Sequence, residues 1–170
     1  MDHPAEPSAQ PPVDKSRRFD SPEQEAFLNL WRTYDRLHIA EEELFGRYDL
    51  TPQQYNALRL LRGEAGRKLA TLALGARLVS RAADITRLLD KLDQRGLIAR
   101  ERPADNRRMV LIGLTDSGRA LLAELDEPVR ACHVRQLGHL SREQLRQLTA
   151  LLQSARRPHE DPASHWMPAV

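Results

Sequence analysis

Hydrophobic residues recur at helical spacing along most of the chain, between two ends that are polar and rich in proline. A stripe of apolar residues predicts a long first helix over about 21–46, and a second helix is predicted over about 52–62. The second helix begins with a capping box, because Thr51 supplies an N-cap hydroxyl and Gln54 lies three residues later. The chain is therefore predicted to be mainly α-helical. Comparable helix-starting sequences lie at Ser21, Thr115 and Ser141.

The pattern changes in the middle of the chain. After a short apolar segment around Gly75, residues 80–95 are predicted to form an amphipathic helix that ends at Gly96, the residue after the C-cap. Beyond Gly96 the hydrophobic period falls to about 2, which predicts a β-hairpin with its turn at residues 103–108. The buried face of the amphipathic helix is predicted to consist of Ile85, Leu88, Leu89 and Leu92.

Positive charge is concentrated in this middle segment. Residues 67–108 contain eleven lysines and arginines against five acidic residues, although the whole chain carries a net charge of only +2. Such a local excess of positive charge is suited to a polyanionic partner. The alternative is that arginine merely replaces lysine throughout the chain, which explains the choice of residue but not the clustering.

An amphipathic helix followed by an arginine-tipped hairpin is suited to DNA recognition. A recognition helix contacts bases in the major groove through its first turns, and arginines on a hairpin enter the minor groove or bind phosphate. Asp105 is expected to position Arg107 through a charge-assisted hydrogen bond. A single arginine is more simply interpreted as a solvated surface charge, but two groups of them favour binding. The predicted DNA-binding residues are Ser80, Arg81, Ala83, Thr86, Arg87, Asp105, Arg107 and Arg108.

The same segment resembles a known family of regulators. Residues 84–100, the wing sequence Asp105-Asn106-Arg107-Arg108 and the sequence Leu114-Thr115-Asp116-Ser117-Gly118 are similar to those of MarR-family (multiple antibiotic resistance regulator) proteins. The resemblance implies a winged helix-turn-helix protein that binds double-stranded DNA as a homodimer. It further implies a repressor of a pseudo-palindromic operator, with DNA released when a small anionic or aromatic effector binds or when the protein is oxidised.

The resemblance and the apolar pattern together predict the domain organisation. Flexible tails are expected at residues 1–20 and 158–170, which are polar and rich in proline. Between them, the DNA-binding lobe is predicted over about 51–114. The N- and C-terminal helices, over about 21–48 and 115–157, are predicted to dimerise.

Two features of the outer helices bear on dimerisation. The last helix carries Leu145, Leu148, Leu151 and Leu152, and together with the long first helix it offers more apolar surface than so small a lobe covers. Packing within one chain is the alternative. Pro128 lies in the helix after Thr115 and removes a backbone hydrogen bond, so this helix is expected to bend or to split near Glu127.

Aromatic residues and one cation on the first two helices suggest an effector pocket. The family that the chain resembles places effectors between such helices and the DNA-binding lobe. The alternative is that the aromatic residues are core or dimer contacts and that the arginine is a surface charge. The candidate residues are Trp31, Tyr34, His38, Tyr55 and Arg59.

Other classes of protein are disfavoured. The chain has no nucleophile elbow, phosphate loop or H-E-x-x-H motif, so no catalysis and no cofactor or metal site is predicted. Cys132 is the only cysteine, and a buried inert thiol is favoured over a peroxide-sensing thiol beside His133. The absence of a signal sequence or membrane span predicts a cytoplasmic protein. The alternative function is a winged-helix protein-interaction module without specific DNA binding.

Overall fold

The computed structural model of the chain describes residues 19–79 and 84–160. Contacts divide the chain into two units after His38. No helix in the described ranges is long and apolar enough to cross a membrane. The helices are α1 (Pro22–Gly46), α2 (Pro52–Gly63), α3 (Thr71–Arg77), α4 (Ile85–Gln94), α5 (Asp116–Leu137) and α6 (Arg142–Arg156). The strands are β1 (Leu69–Ala70), β2 (Ile98–Glu101) and β3 (Leu111–Leu114), and a 3-10 turn follows at Arg157–His159.

Hydroxyl caps begin four of these helices, as the sequence predicted. At α2 the Oγ1 of Thr51 accepts a hydrogen bond from the backbone N–H of Gln54 (3.2 Å), and the Gln54 Oε1 accepts one from the Thr51 N–H (2.9 Å). Ser141 forms the same capping box at α6. These bonds satisfy backbone donors that a helix N-terminus leaves unpaired. The two other hydroxyl caps are those of Ser21 and Thr115.

The start of α4 differs from the prediction. The sequence placed the recognition helix over residues 80–95, whereas the observed helix begins at Ile85. Asp84 is the N-cap, because its backbone is not helical and its Oδ1 accepts a hydrogen bond from the Arg87 N–H (2.9 Å). Residues 80–83, which include the candidates Ser80, Arg81 and Ala83, lie outside the described residues.

The end of α4 confirms the predicted role of Gly96. This residue has a φ of +66°, in the left-handed region that favours glycine. The N–H of Gly96 donates to the carbonyl of Asp93 (2.8 Å), and the N–H of Leu97 donates to the carbonyl of Leu92 (3.0 Å). This pair of bonds is a Schellman motif, which stops the helix and turns the chain directly into β2.

The predicted hairpin is present, but it belongs to a three-stranded sheet. All strands are antiparallel in the order β1-β3-β2, with Ile112 of β3 opposite both Leu69 of β1 and Arg100 of β2. The sequence did not predict β1, because a strand of two residues shows no period of its own. The small β-hairpin wing on a mainly helical chain is therefore confirmed, with one additional strand.

Apolar side chains of the unit that begins at Ile39 form one core around the sheet. Cys132 belongs to this core: its side chain is buried, and its thiol lies 3.7 Å from the Ala40 carbonyl oxygen. This environment agrees with the interpretation of Cys132 as a core residue. The most deeply buried large side chains are Leu58, Leu61, Leu74, Leu89, Leu92, Ile98, Ile112, Leu122, Leu125 and Cys132.

Helix α5 is continuous through Pro128, so the helix is not split near Glu127. A proline in a helix leaves the carbonyl four residues earlier without its usual donor, here that of Glu124. Glu124 is exposed, so its carbonyl lies on the side of the helix that water reaches. The adjacent Leu125 and Val129 are buried and hold the helix against the core.

Candidate nucleic-acid interface

The outer face of α4 carries polar side chains whose positions are set by its buried face. Leu88, Leu89 and Leu92 are buried, which turns Thr86 and Arg87 outward in the first turn. Asp84 uses its carboxylate to cap the helix, so it does not pair with the Arg87 guanidinium. Thr86 and Arg87 are therefore presented as a recognition helix would present them.

The wing turn between β2 and β3 is held by Asn106. Its N–H donates to the Pro103 carbonyl (3.2 Å), its carbonyl accepts from the Met109 N–H (3.0 Å), and its Oδ1 accepts from the Arg108 N–H (3.3 Å). Arg107 and Arg108 are exposed at this tip.

The expected bond between Asp105 and Arg107 is absent from the described residues. Both side chains are exposed, and no hydrogen bond or ion pair joins them. The amide side chain of Asn106 organises the turn instead, by accepting a hydrogen bond from the Arg108 N–H. The tip arginines are consequently not held by an acid.

Arg100 braces the wing against α4, and the sequence did not single it out for this role. Its Nη2 lies 2.7 Å from Oδ1 of Asp90 and 3.5 Å from the Thr86 carbonyl oxygen, and its Nε lies 3.5 Å from Oδ2 of Asp93. Residues two apart on a strand share a face, so Arg100 lies on the same face of β2 as the buried Ile98. This alternation could have indicated from the sequence that the Arg100 side chain faces α4. The contact offsets one of the two negative charges that Asp90 and Asp93 place on α4.

Three further residues position the DNA-binding lobe. Oδ1 of Asn56 on α2 accepts a hydrogen bond from the Val79 N–H (3.0 Å), just before the segment that leads into α4.

Gly118 packs at the base of the wing, where a Cβ would lie 2.2 Å from the Leu97 carbonyl oxygen. Thr115 caps α5 there and also donates from Oγ1 to the Gly96 carbonyl (2.7 Å). Close packing of α5 against the hairpin thus requires a glycine at position 118.

A groove of about 450 Å³ lies between the first turn of α4 and the wing. Thr86 lies on its helix side, and Arg102 and Arg108 lie on its wing side. Of the predicted helix and wing residues that the structure describes, Thr86 and Arg108 line this groove, whereas Arg87, Asp105 and Arg107 do not. Its apolar wall includes Leu72, Leu89, Met109 and Val110.

The lysines and arginines of the basic segment that the structure describes, which exclude Arg81, fall into two groups. One group is engaged within the protein: Arg67 and Arg77 contact Glu64, Lys68 contacts Glu101, Arg95 contacts the carbonyls of Tyr48 and Asp49, and Arg100 contacts Asp90 and Asp93. The other group has no side-chain ion pair or hydrogen bond within the described part of the chain. Its members are Arg87, Lys91, Arg102, Arg107 and Arg108.

The effector candidates occupy two places. On α1, Trp31 and Tyr34 are about 60% exposed, and the Tyr34 ring stacks on His38 with ring centroids 5.0 Å apart. On α2, Tyr55 is buried and stacks on Phe45 at 4.4 Å, and burial raises the pKa of its phenol. Arg59 is exposed. Tyr55 is therefore a core aromatic residue, and a pocket that includes all five residues stays a prediction.

These features define a class of protein. A short helix, a capped amphipathic helix and an arginine-tipped antiparallel hairpin, joined by the Arg100 brace, form a winged helix-turn-helix of the kind that binds DNA. A family model described as "MarR family" matches residues 50–110, which includes α2, α4 and the whole wing turn.

Similar proteins agree with this class. The chain is 30% identical over 142 residues to the uncharacterized HTH-type transcriptional regulator YkoM of Bacillus subtilis. The aligned residues cover 81% of this chain and 90% of that protein. It is 53% identical to a MarR transcription factor of Planctomyces limnophilus, whose crystal structure matches with a TM-score of 0.64 over 81% of this chain and 99% of that one. This protein belongs to the MarR family of transcriptional regulators.

The fold is also that of a regulator solved on DNA. A mutant MarR from E. coli in complex with operator DNA matches with a TM-score of 0.69 at 22% identity, over 77% of this chain and 93% of that one. At this identity the likeness concerns the fold.

Proposed function

We propose that this protein is a cytoplasmic, homodimeric transcriptional repressor that binds a pseudo-palindromic operator through α4 and the wing. The observation that carries the proposal is the set of five cationic side chains on α4 and the wing that have no partner within the described residues. When unpaired lysine and arginine side chains bind DNA phosphates, they release counterions condensed on the DNA, and this release increases the affinity. The E. coli protein that shares this fold was solved with its operator, which supports the same use of the fold here.

Homodimerisation is proposed from apolar surface on the outer helices. Helix α6 has no buried side chain, and its Leu151 is 69% exposed. Helix α1 exposes Phe27, Trp31 and Tyr34. Apolar groups at such density on helical faces are usually covered by a partner. Two copies would also supply the two recognition helices that a pseudo-palindromic operator requires.

Effector control is proposed for an anionic or aromatic small molecule near Trp31, Tyr34 and His38. The exposed rings offer a stacking surface, and the MarR family to which the chain belongs supports a search for a ligand. A ligand would change DNA affinity only if it bound one spacing of the two lobes better than another. Titrating benzoates and phenols against the protein–DNA complex tests this, and an unchanged DNA affinity across the series would remove effector control.

The decisive experiment is fluorescence anisotropy with DNA from just upstream of the gene and with scrambled DNA, over a salt series. The proposal expects preference for the upstream DNA, with two protomers on each site and affinity that falls steeply with salt. Equal, weak binding to both DNAs at physiological salt would contradict the proposal for this site. A winged-helix protein-interaction module would then become the better interpretation.

A further inference from the structure

We infer that Lys91 and Arg102 bind DNA phosphates, in addition to the arginines that the sequence identified. The inference rests on the proposed DNA-binding function and extends its interface along α4 and into the wing strand. It starts from the division of the basic segment into engaged and free cations. Neither Lys91 nor Arg102 has a side-chain partner within the described residues, and both are exposed.

The position of Lys91 places it beside a predicted base contact. It follows Arg87 by four residues on α4, so the two side chains lie one turn apart on the same outer face. The next residues, Leu88 and Leu92, are buried and fix the orientation of the helix, so Arg87 and Lys91 remain on its exposed side. With Arg87 directed at the major groove, Lys91 lies one turn further along, where a lysine reaches the phosphate backbone.

The position of Arg102 places it on the wing side of the same groove. It follows β2 directly and lines the groove together with Arg108, opposite Thr86. Arg102 therefore lies between the recognition helix and the wing tip. A DNA backbone that passes between the recognition helix and the wing tip would place a phosphate close to Arg102.

Three of the acids near these two cations contact other basic side chains. Arg100 contacts both Asp90 and Asp93, which lie on either side of Lys91 in the sequence. Glu101, next to Arg102, pairs with Lys68. Because these three carboxylates contact other cations, they do not hold the side chains of Lys91 and Arg102, which remain available to phosphates.

The other interpretation of Lys91 is local: a cation in the last turn of a helix stabilises the helix dipole. That role would change the melting temperature and leave the salt dependence of DNA binding unaltered. The salt dependence counts phosphates that are neutralised, so it separates the two interpretations.

The test compares Lys91→Gln and Arg102→Gln with Arg67→Gln as a matched control. Arg67 is in the same basic segment and is 81% exposed, so its removal changes the net charge equally. Its partner Glu64 keeps a second contact with Arg77, so the control leaves no unpaired acid. All variants are examined as full-length protein, with thermal melts to confirm folding.

The expected result is a smaller salt slope in the two test variants. Each lost phosphate contact lowers the slope of log K against log salt by about 0.9, hence by about 1.8 for the two protomers of a dimer. Raising the salt concentration from 50 to 200 mM weakens DNA binding by the unsubstituted protein. The same change should weaken DNA binding by each test variant by a factor about tenfold smaller. Arg67→Gln should retain the full slope, and Lys91→Arg should restore it at position 91.

An unchanged slope in Lys91→Gln or in Arg102→Gln would overturn the assignment of that residue. An equal fall in Arg67→Gln would show that only net charge matters and would overturn both. Failure of the proposed function would look different, because the unsubstituted protein would then show no preference for the upstream DNA. The slopes can still be measured on scrambled DNA in that case, since phosphate contacts are independent of sequence.

Discussion

The winged-helix lobe (residues 51–114) and helix α6 both carry leucines at helical spacing, but only the lobe buries them. On α4, Leu89 and Leu92 are at most 1% exposed, whereas α6 contains no buried side chain and Leu151 is 69% exposed. Hydrophobic period alone therefore predicts which residues share a face and not whether that face is covered. In the lobe the cover is the chain's own sheet and α2, and on α6 it is proposed to be a second copy.

The largest expected effect contrasts Leu92→Ala with Leu151→Ala. Removing the fully buried Leu92 side chain should lower the free energy of unfolding by about 2–5 kcal/mol, because a cavity remains. Leu151→Ala should destabilise only by weakening the proposed dimer, so its effect should vary with protein concentration. Urea unfolding at several protein concentrations measures both. A large, concentration-independent loss in Leu151→Ala would contradict the proposed role of α6.

A substitution at Gly118 tests how the lobe is joined to α5. A Cβ there would lie 2.2 Å from the Leu97 carbonyl oxygen and 2.7 Å from Leu114 Cδ1, so Gly118→Ala should cost about 1–3 kcal/mol of unfolding free energy. Gly63→Ala is the control, since nothing lies within 4 Å of its Cβ position. Urea midpoints for the two variants compare them directly. Equal stability would show that the hairpin base tolerates displacement.

Arginine substitutions separate the two regions by function. Arg87→Ala should cost about 1–3 kcal/mol of binding free energy on the preferred DNA and less on scrambled DNA, as expected for a base contact.

Arg107→Ala should weaken binding to all sequences and flatten the salt dependence. Arg146→Ala on α6, where the arginine pairs with Glu143, should change neither. Anisotropy titrations decide, and equal losses for Arg87→Ala on both DNAs would make Arg87 a phosphate contact.

The smallest expected effect concerns the ion pair between α2 and α5. Arg62 donates a hydrogen bond from Nη1 to Oδ2 of Asp126 (2.9 Å), and its Nη2 lies 2.8 Å from Oδ1; the hydrogen bond and the positive charge hold the pKa of Asp126 below its usual value. A lowered pKa in the folded state stabilises the protein above the ordinary pKa of about 4, and this contribution is lost as the pH falls through the folded value.

The measurement is the difference in urea midpoint between Asp126→Asn and the unsubstituted protein, from pH 7 to pH 3. The difference should be present at pH 7 and shrink below pH 4. In an Arg62→Gln background, Asp126→Asn should have no effect that depends on pH. A difference that persists unchanged at pH 3 would show that Asp126 acts through its shape and not its charge. The pair is partly exposed, so the effect is expected to be modest.

Much of the lobe could be predicted from the sequence because its signals are local. The capping box at Thr51, the left-handed glycine at Gly96 and the buried row of α4 each depend on residues within one or two turns. The start of α4 was misplaced because Ser80 and Asp84 are both good N-caps, and side-chain bonding selects Asp84. Strand β1 was missed because it exists only by pairing with β3, in which Ile112, the partner of Leu69, lies 43 residues further along the chain.

The sequence by itself determined that the chain has an amphipathic helix ending at Gly96, an arginine-tipped wing and a local excess of positive charge. Helical and strand periods, caps and composition are properties of neighbouring residues, so they can be read without a fold. Only the tertiary structure decided which of those charges are available. Arg100 and Lys91 look alike in the sequence, yet the first is held by Asp90 and Asp93 and the second has no partner within the described residues. The reason is that an ion pair depends on distances between elements, and these are set by packing of the sheet against α4.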